Sequence, residues 1–315
     1  MNLTDLLEDL RLAVQNLDQS LRRIRGDSSG AFSRKEAKQI ESMLTACFWK
    51  ALPYFVEGSS RNPIHHNTQV LDNMVQIALG QKLKYREFKI SVLLALLHDI
   101  GNAVSQREKV KTDQVEREAN QGKARQLAFK AISFRLEHMD RAPELIAELT
   151  NSLIERDALG GDDVHLICRA VLVHDYPSIE EILRALRVMH VDTAYGPGDF
   201  LLPFDSSIFG RLIERLREAD RLFMVTEQGV LKDVRDDNKK IDPNKKITAR
   251  EALGKLRSNV KKHKKEFRLY RRVGKSGGFI NGTLYRTKKG YSMYLRFQKL
   301  LNKKWGDMPK ESVVG

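Results

Sequence analysis

ISVLLALLHDIGN, residues Ile90–Asn102, ends an apolar run on a histidine and an aspartate set side by side. Read as a helix, the run places Val92, Leu93, Leu96 and Leu97 on one wide apolar stripe. It is too long and too rich in Leu and Ala for a strand. Gly101 is read as a helix-ending position that tolerates a positive φ. His98 and Asp99 then ride the last turn of a buried helix, where an imidazole and a carboxylate both need a partner. A divalent metal satisfies them, with one nitrogen and one oxygen offered from one turn. A hydrogen bond between neighbours also satisfies them, so the pair alone leaves both readings open.

Upstream of this stretch, Leu3, Leu7, Leu10, Val14, Leu17, Leu21 and Ile24 alternate in steps of four and three, an a/d pattern. It reads either as a helix laid along its own domain or as the seam of a homodimer. Ser33 and Glu36 form a capping box for a helix through about Leu52, closed by Pro53. Asn62-Pro63 opens another helix, in which His66 lies four residues before Val70 on the inner face and His65 points elsewhere. Downstream, 103–125 reads as a polar loop, followed by helices over 125–138, 143–156, 163–175 and 178–190. The helix of 163–175 ends in AVLVHDY, so His174 and Asp175 also close an apolar helix. A long helix from Ser206 to Gln228 carries Asp220 among apolar positions. KDVRDDNKKIDPNKK reads as a charged linker, 248–266 as a basic helix, and 267–297 as two or three short strands. The expected divisions are 1–58, N-terminal helices; 59–231, a metal-binding helical domain; and 232–315, a basic extension.

The formal net charge of +14 is concentrated at one end: residues 232–304 hold 24 Lys/Arg and 6 Asp/Glu, a net of +18. Such a segment suits an anionic partner or steers an anionic substrate. No apolar run approaches the roughly 18 residues a membrane span needs, and the N-terminus lacks a basic-then-apolar leader. Cys47 and Cys168 have no metal-binding spacing. A cytoplasmic protein without membrane contact is expected.

In order along the chain, His66, His98-Asp99 and Asp220 sit on the inner sides of different helices, which a bundle gathers around one point. HHNTQV, LLALLHDIGN and EADRLF together resemble the motifs of the HD-domain metal-dependent phosphohydrolase superfamily, over roughly residues 60–225. The resemblance implies a mainly α fold, an HD-type helical bundle, here with a small basic C-terminal α+β extension. It implies that His66, His98, Asp99 and Asp220 bind a divalent ion (Mn, Fe, Mg, Co or Zn). Members with a second ion add histidines between the doublet and the last Asp. His174 matches one of these places. At the other, in REANQGKARQLAF, stands Glu118, a carboxylate that suits iron or manganese. His138, His165 and His190 read as surface or structural histidines.

The chemistry so implied is hydrolysis of a phosphate ester in a nucleotide or other small anionic substrate by metal-activated water. Asp99 orients the nucleophile. His65 is a candidate to protonate the leaving group, and Lys109, Lys111, Lys123 and Arg125 are candidate phosphate contacts. The alternative is a degenerate HD domain whose basic C-terminal segment binds nucleic acid weakly, with Phe267, Tyr270, Tyr285, Tyr291 and Tyr294 as stacking partners. Some members of the superfamily are mixed-valence di-iron oxygenases, a third reading that Glu118 in place of a histidine weakens.

Overall fold

The computed structural model describes the chain except residues 1–2, 28–29, 60–61, 106–109, 111–113, 116–117, 156–158, 189–199, 201–206, 239–241, 243–244, 274–283 and 315, and the side chains of 265 and 267–273. It is mainly α. The helices are α1 (Leu3–Arg25), α2 (Arg34–Gly58), α3 (Ile64–Gly80), α4 (Tyr85–Leu97), α5 (Gln121–Ile154), α6 (Gly161–Val171), α7 (Tyr176–Val188), α8 (Ile208–Phe223), α9 (Glu227–Asn238), α10 (Ala249–Val273) and α11 (Lys288–Gly306). A 3₁₀ turn, Ile100–Ala103, follows α4. Among the described residues there is no strand, and one isolated antiparallel bridge joins Thr248 to Val313.

α3 and α4 are the centre of the bundle. α3 is buried along almost its whole length and α4 from Phe88 to Leu97; α4 is apolar almost all round, as a central helix should be, whereas α3 also buries polar residues that bond to its neighbours. α3 is flanked by α1, α4 and α8. Asn73 ties α3 to α8 by donating to the carbonyl of Ala219, 2.9 Å away, directly before Asp220. Glu87 of α4 accepts from Arg215 of α8 at 2.7 Å.

The first helix does lie along its own domain, on a face that shares Leu17 and Ile24, and partly Leu10 and Leu21, with the heptad seam. Asp9, Ala13, Asn16, Leu17, Ser20 and Ile24 are buried, while Leu3, Leu7 and Val14 are exposed. The buried polar residues have partners. Asp9 accepts from the backbone N–H groups of Ile64 and His65, both at 2.8 Å. It thereby caps the start of α3, where the N-cap residue, Pro63, makes no side-chain cap.

Several expected boundaries are corrected. α2 runs through Pro53 to Gly58, and α5 runs through Pro143, joining two expected helices. Each proline forfeits one backbone hydrogen bond, and burial of the surrounding helix outweighs that loss. The long helix around Asp220 ends at Phe223, and the expected charged linker begins with α9. In place of short strands, the described residues of 267–297 are helical at both ends, in α10 and α11. Tyr291, Tyr294, Phe297 and Leu301 are spaced by three and four, a helical stripe. The principal apolar core includes Ala13, Leu71, Leu96, Leu222, Leu256 and Trp305, so it spans all three expected divisions. A smaller cluster lies between α5 and α7, with Ala128, Ile132, Ile182 and Leu186. No described helix is long and apolar enough to cross a membrane.

Candidate metal centre

Five segments deliver the site. α3 presents His66 from its first turn, and α4 ends on His98 as its C-cap. Asp99 follows with φ −105° and ψ 14°, the bridge region that links a helix end to a turn. α5 supplies His138, the turn after α6 supplies His174, and α8 supplies Asp220.

Asp99 sits between two pairs of imidazoles. Its Oδ2 is 3.6 Å from the Nε2 atoms of both His66 and His98. Its Oδ1 is 3.3 Å from Nε2 of His174 and 3.8 Å from Nε2 of His138. Asn62 donates to Oδ2 at 2.7 Å and holds the carboxylate in place. Two groups of donors result: His66, His98 and Asp220 form one, and Asp99, His138 and His174 form the other, with ligand atoms within 4.8 Å of one another in each.

The donor chemistry fits a cation in each group. His98, His138 and His174 each face a backbone carbonyl with Nδ1, those of Ala95, Phe134 and Val171, at 2.9, 3.2 and 2.7 Å. A carbonyl only accepts, so Nδ1 carries a proton in each ring and Nε2 is the atom left to bind an ion once any second proton is displaced. The Nε2 atoms of His138 and His174 are 3.4 Å apart. Those of His66 and His98 are 3.3 Å apart. Nitrogens at that distance need a positive charge between them, either an ion or a proton on one of the two: against burial, Asp99 raises His174 to about 9, and His66 Nε2 stands 3.3 Å from Asp220. Ligands about 2.1 Å from one ion stand roughly 3.0–3.5 Å from each other, so the spacing suits shared coordination. An Nδ1–H···O=C bond behind a ligating nitrogen is also the usual way a histidine ligand is oriented.

The carboxylates are held ionised. Burial opposes charge on Asp99, but His98 beside it and the His174 hydrogen bond hold its pKa well below the usual range. Asp220 is likewise lowered against burial, by its contact with His66 and by Arg221. Burial, together with the charge of His174, lowers His138 to about 4.

A cavity of about 230 Å³ opens onto these groups. Beyond the ligands its wall carries four cations, Arg135, Arg217, Arg221 and Lys232. Arg135 pairs with Asp175 at 3.3 Å. Arg217 and Arg221 both pair with Glu266 of α10, Arg221 at 3.0 Å. Lys232, on α9 within the segment read from sequence as linker, pairs with Asp236 at 3.1 Å.

Of the residues singled out from sequence, His66, His98, Asp99, Asp220 and His174 come together. His138, read as surface or structural, is only 2 % exposed and completes the second group. Glu118 stands outside both groups, and its carboxylate accepts from the backbone N–H of Asn120. His65 does not face this cavity. Its Nδ1 donates to Asp9 at 2.7 Å and its ring lines a different one, so the leaving-group role expected of it is withdrawn. Lys123 and Arg125 are exposed on the first turns of α5, away from the wall. Lys109, Lys111 and His190 lie outside the described residues, and His165 is exposed. Gly101 does not adopt a positive φ. A Cβ there would lie 1.9 Å from the carbonyl oxygen of His138, so its role is to let α5 approach.

Two of the missed residues had a signal. Arg217 and Arg221 are one turn apart and flank Asp220 on the same helix. His138 had only its place on the buried face of α5, which any core histidine shares. No protein-family model, no curated protein and no solved structure matches the chain.

Proposed function

We propose that this protein is a metal-dependent phosphohydrolase of HD-domain type, acting on a phosphate ester of a nucleotide or another small anionic molecule. The observation that carries this reading is the placement of Asp99 between two histidine pairs, in the wall of a cavity that also carries four cations. His66, His98 and Asp220 would hold one divalent ion, His138 and His174 the other, and Asp99 faces both. Such ions supply Lewis acidity and lower the pKa of water toward about 7. In the reaction, water adds to phosphorus, the P–O ester bond breaks, and the leaving oxygen takes up a proton to give an alcohol and phosphate.

The chain's own contribution is positioning and charge. Arg135, Arg217, Arg221 and Lys232 surround the cavity and neutralise a phosphoryl group. Glu266 fixes two of these guanidinium groups, and Asp175 fixes a third. Asp99, Asp175 and Asp220 are all held below the usual carboxylate range, so none has a proton to give at neutral pH. With no neutral acid among them, the site favours esters whose leaving oxygen needs little help. Aryl phosphates are therefore expected to turn over faster than alkyl phosphates.

A di-iron oxygenase reading gains from His138, which takes the place the sequence reading gave to Glu118. With Asp99 and Asp220 offset by the ions they would hold, the four cations of the wall favour an anionic substrate and hydrolysis. The test is turnover of p-nitrophenyl phosphate and a nucleotide panel after loading with Mn²⁺, Fe²⁺, Co²⁺, Mg²⁺ or Zn²⁺. Phosphate release that is lost in Asp99→Asn supports the reading. Oxygen uptake by the iron-loaded protein with no phosphate release from any ester would contradict it.

A further inference from the structure

A second cavity, of about 580 Å³, opens between α1, α3, α9 and α11. It shares no lining residue with the metal cavity. The two meet at consecutive residues of α3, since His66 lines the first and His65 the second. Its size is that of a small-molecule site.

Its wall is built for a particular kind of occupant. Leu12, Leu231, Phe297 and Leu300 give it an apolar side. Its cations are not all neutralised. Arg23 is paired with Asp72 and Lys304 with Glu227. Arg296 instead donates to the neutral amide oxygen of Gln76 at 3.2 Å, and Arg235 makes no ion pair among the described residues. Glu8, the remaining acid of the wall, pairs with Arg11. Two guanidinium groups thus face the cavity with no carboxylate at ion-pair distance, although Arg235 is close enough to Glu8 to help Arg11 hold it ionised.

His65 is the second observation. It is 5 % exposed, and its Nδ1–H is committed to Asp9, which fixes the tautomer. Its Nε2 is left an acceptor with no hydrogen-bond partner among the described residues. An unpaired buried acceptor is unfavourable unless a ligand supplies an O–H or N–H donor.

We propose that this cavity is a binding site for a nucleoside monophosphate, separate from the metal centre and independent of the reaction proposed there. The phosphate lies at Arg235 and Arg296, the base against the apolar side, and a hydroxyl or base N–H donates to His65 Nε2. The test is equilibrium binding of AMP, GMP, CMP and UMP to the full chain. At least one should saturate with a Kd below about 1 mM. The double variant Arg235→Ala/Arg296→Ala, changed only at the rim, should weaken it by about tenfold or more. Asp220→Asn, in the other cavity, should leave it within about twofold. His65→Leu should weaken it several-fold; should that chain fail to fold, the arginine pair decides. Saturation by none of the nucleotides, or equal binding by the arginine variant, would overturn the site. A chain that hydrolyses aryl phosphates but binds no monophosphate here refutes this site alone. A chain that binds one through Arg235 and Arg296 without hydrolysing any ester refutes only the reaction.

Discussion

Each oxygen of Asp99 faces a different pair of imidazoles, and no other carboxylate in the fold is so placed among the described residues. Asp99→Asn keeps the shape and removes the charge that two ions would share. Phosphatase turnover is expected to drop by about two orders of magnitude or more, since an orienting and charge-bearing group is lost. Arg217→Ala and Arg221→Ala should each slow turnover by about tenfold or more, whereas Lys123→Ala and Arg125→Ala should change it by less than about twofold. Steady-state kinetics of the four variants would check this, and the opposite ranking would return the phosphate contacts to the first turns of α5. At this scale the sequence was informative where a polar residue closes an apolar helix, as His98, Asp99 and His174 do. It presented His138 as surface or structural, because a histidine in mid-helix becomes a ligand only through what packs against it. It misled on His65, where adjacency to a ligand suggested a shared site, although one residue along a helix turns the side chain by about 100°.

Two backbone contacts between elements hold this geometry. Asp9 of α1 caps α3 from a distance of 55 residues along the chain. Asp9→Ala should cost about 1–3 kcal/mol of stability, the range of a lost cap and an unpaired buried donor. A denaturation midpoint unchanged from wild type would contradict that role. Gly101 lets the His138 turn of α5 touch the 3₁₀ turn after α4. Gly101→Ala forces the two apart, so it should destabilise the fold and weaken the second group of ligands before the first. The helices themselves were legible because α4 carries a long apolar run and α3 places Val70, Met74, Ile77 and Ala78 at helical spacing. The ends of α2 and α5 were not, because a proline in a buried helix is tolerated when packing outweighs one lost hydrogen bond. Of the strands expected in 267–297, the part at 288–297 was misread from alternating aromatics, although Tyr291, Tyr294 and Phe297 already step at helical spacing; residues 274–283 lie outside the described ones.

Across the whole molecule, the basic C-terminal part belongs to the same core as the site. Glu266 of α10 braces Arg217 and Arg221 of α8, and beside it His263 is buried with both ring nitrogens unpartnered among the described residues. Charge density alone did not disclose this, because the residues that anchor α10 are the few not basic. Burial lowers His263 from 6.5 to about 4, against the attraction of Glu266. The folded pKa is below the unfolded one, so the unfolded chain takes up a proton first as pH falls. Stability should therefore decline between about pH 6.5 and 4, by on the order of 3 kcal/mol from this residue. His263→Leu should remove that decline, and urea titrations of both chains at pH 7 and pH 4.5 would measure it. An equal loss in both would contradict it. The central claim, that five segments converge on a centre for two ions around Asp99, is tested most directly by elemental analysis of the purified chain and its His138→Ala variant. The account predicts close to two divalent ions per wild-type chain and close to one in the variant; a wild type that holds no metal, or a variant that holds as much as wild type, would contradict it.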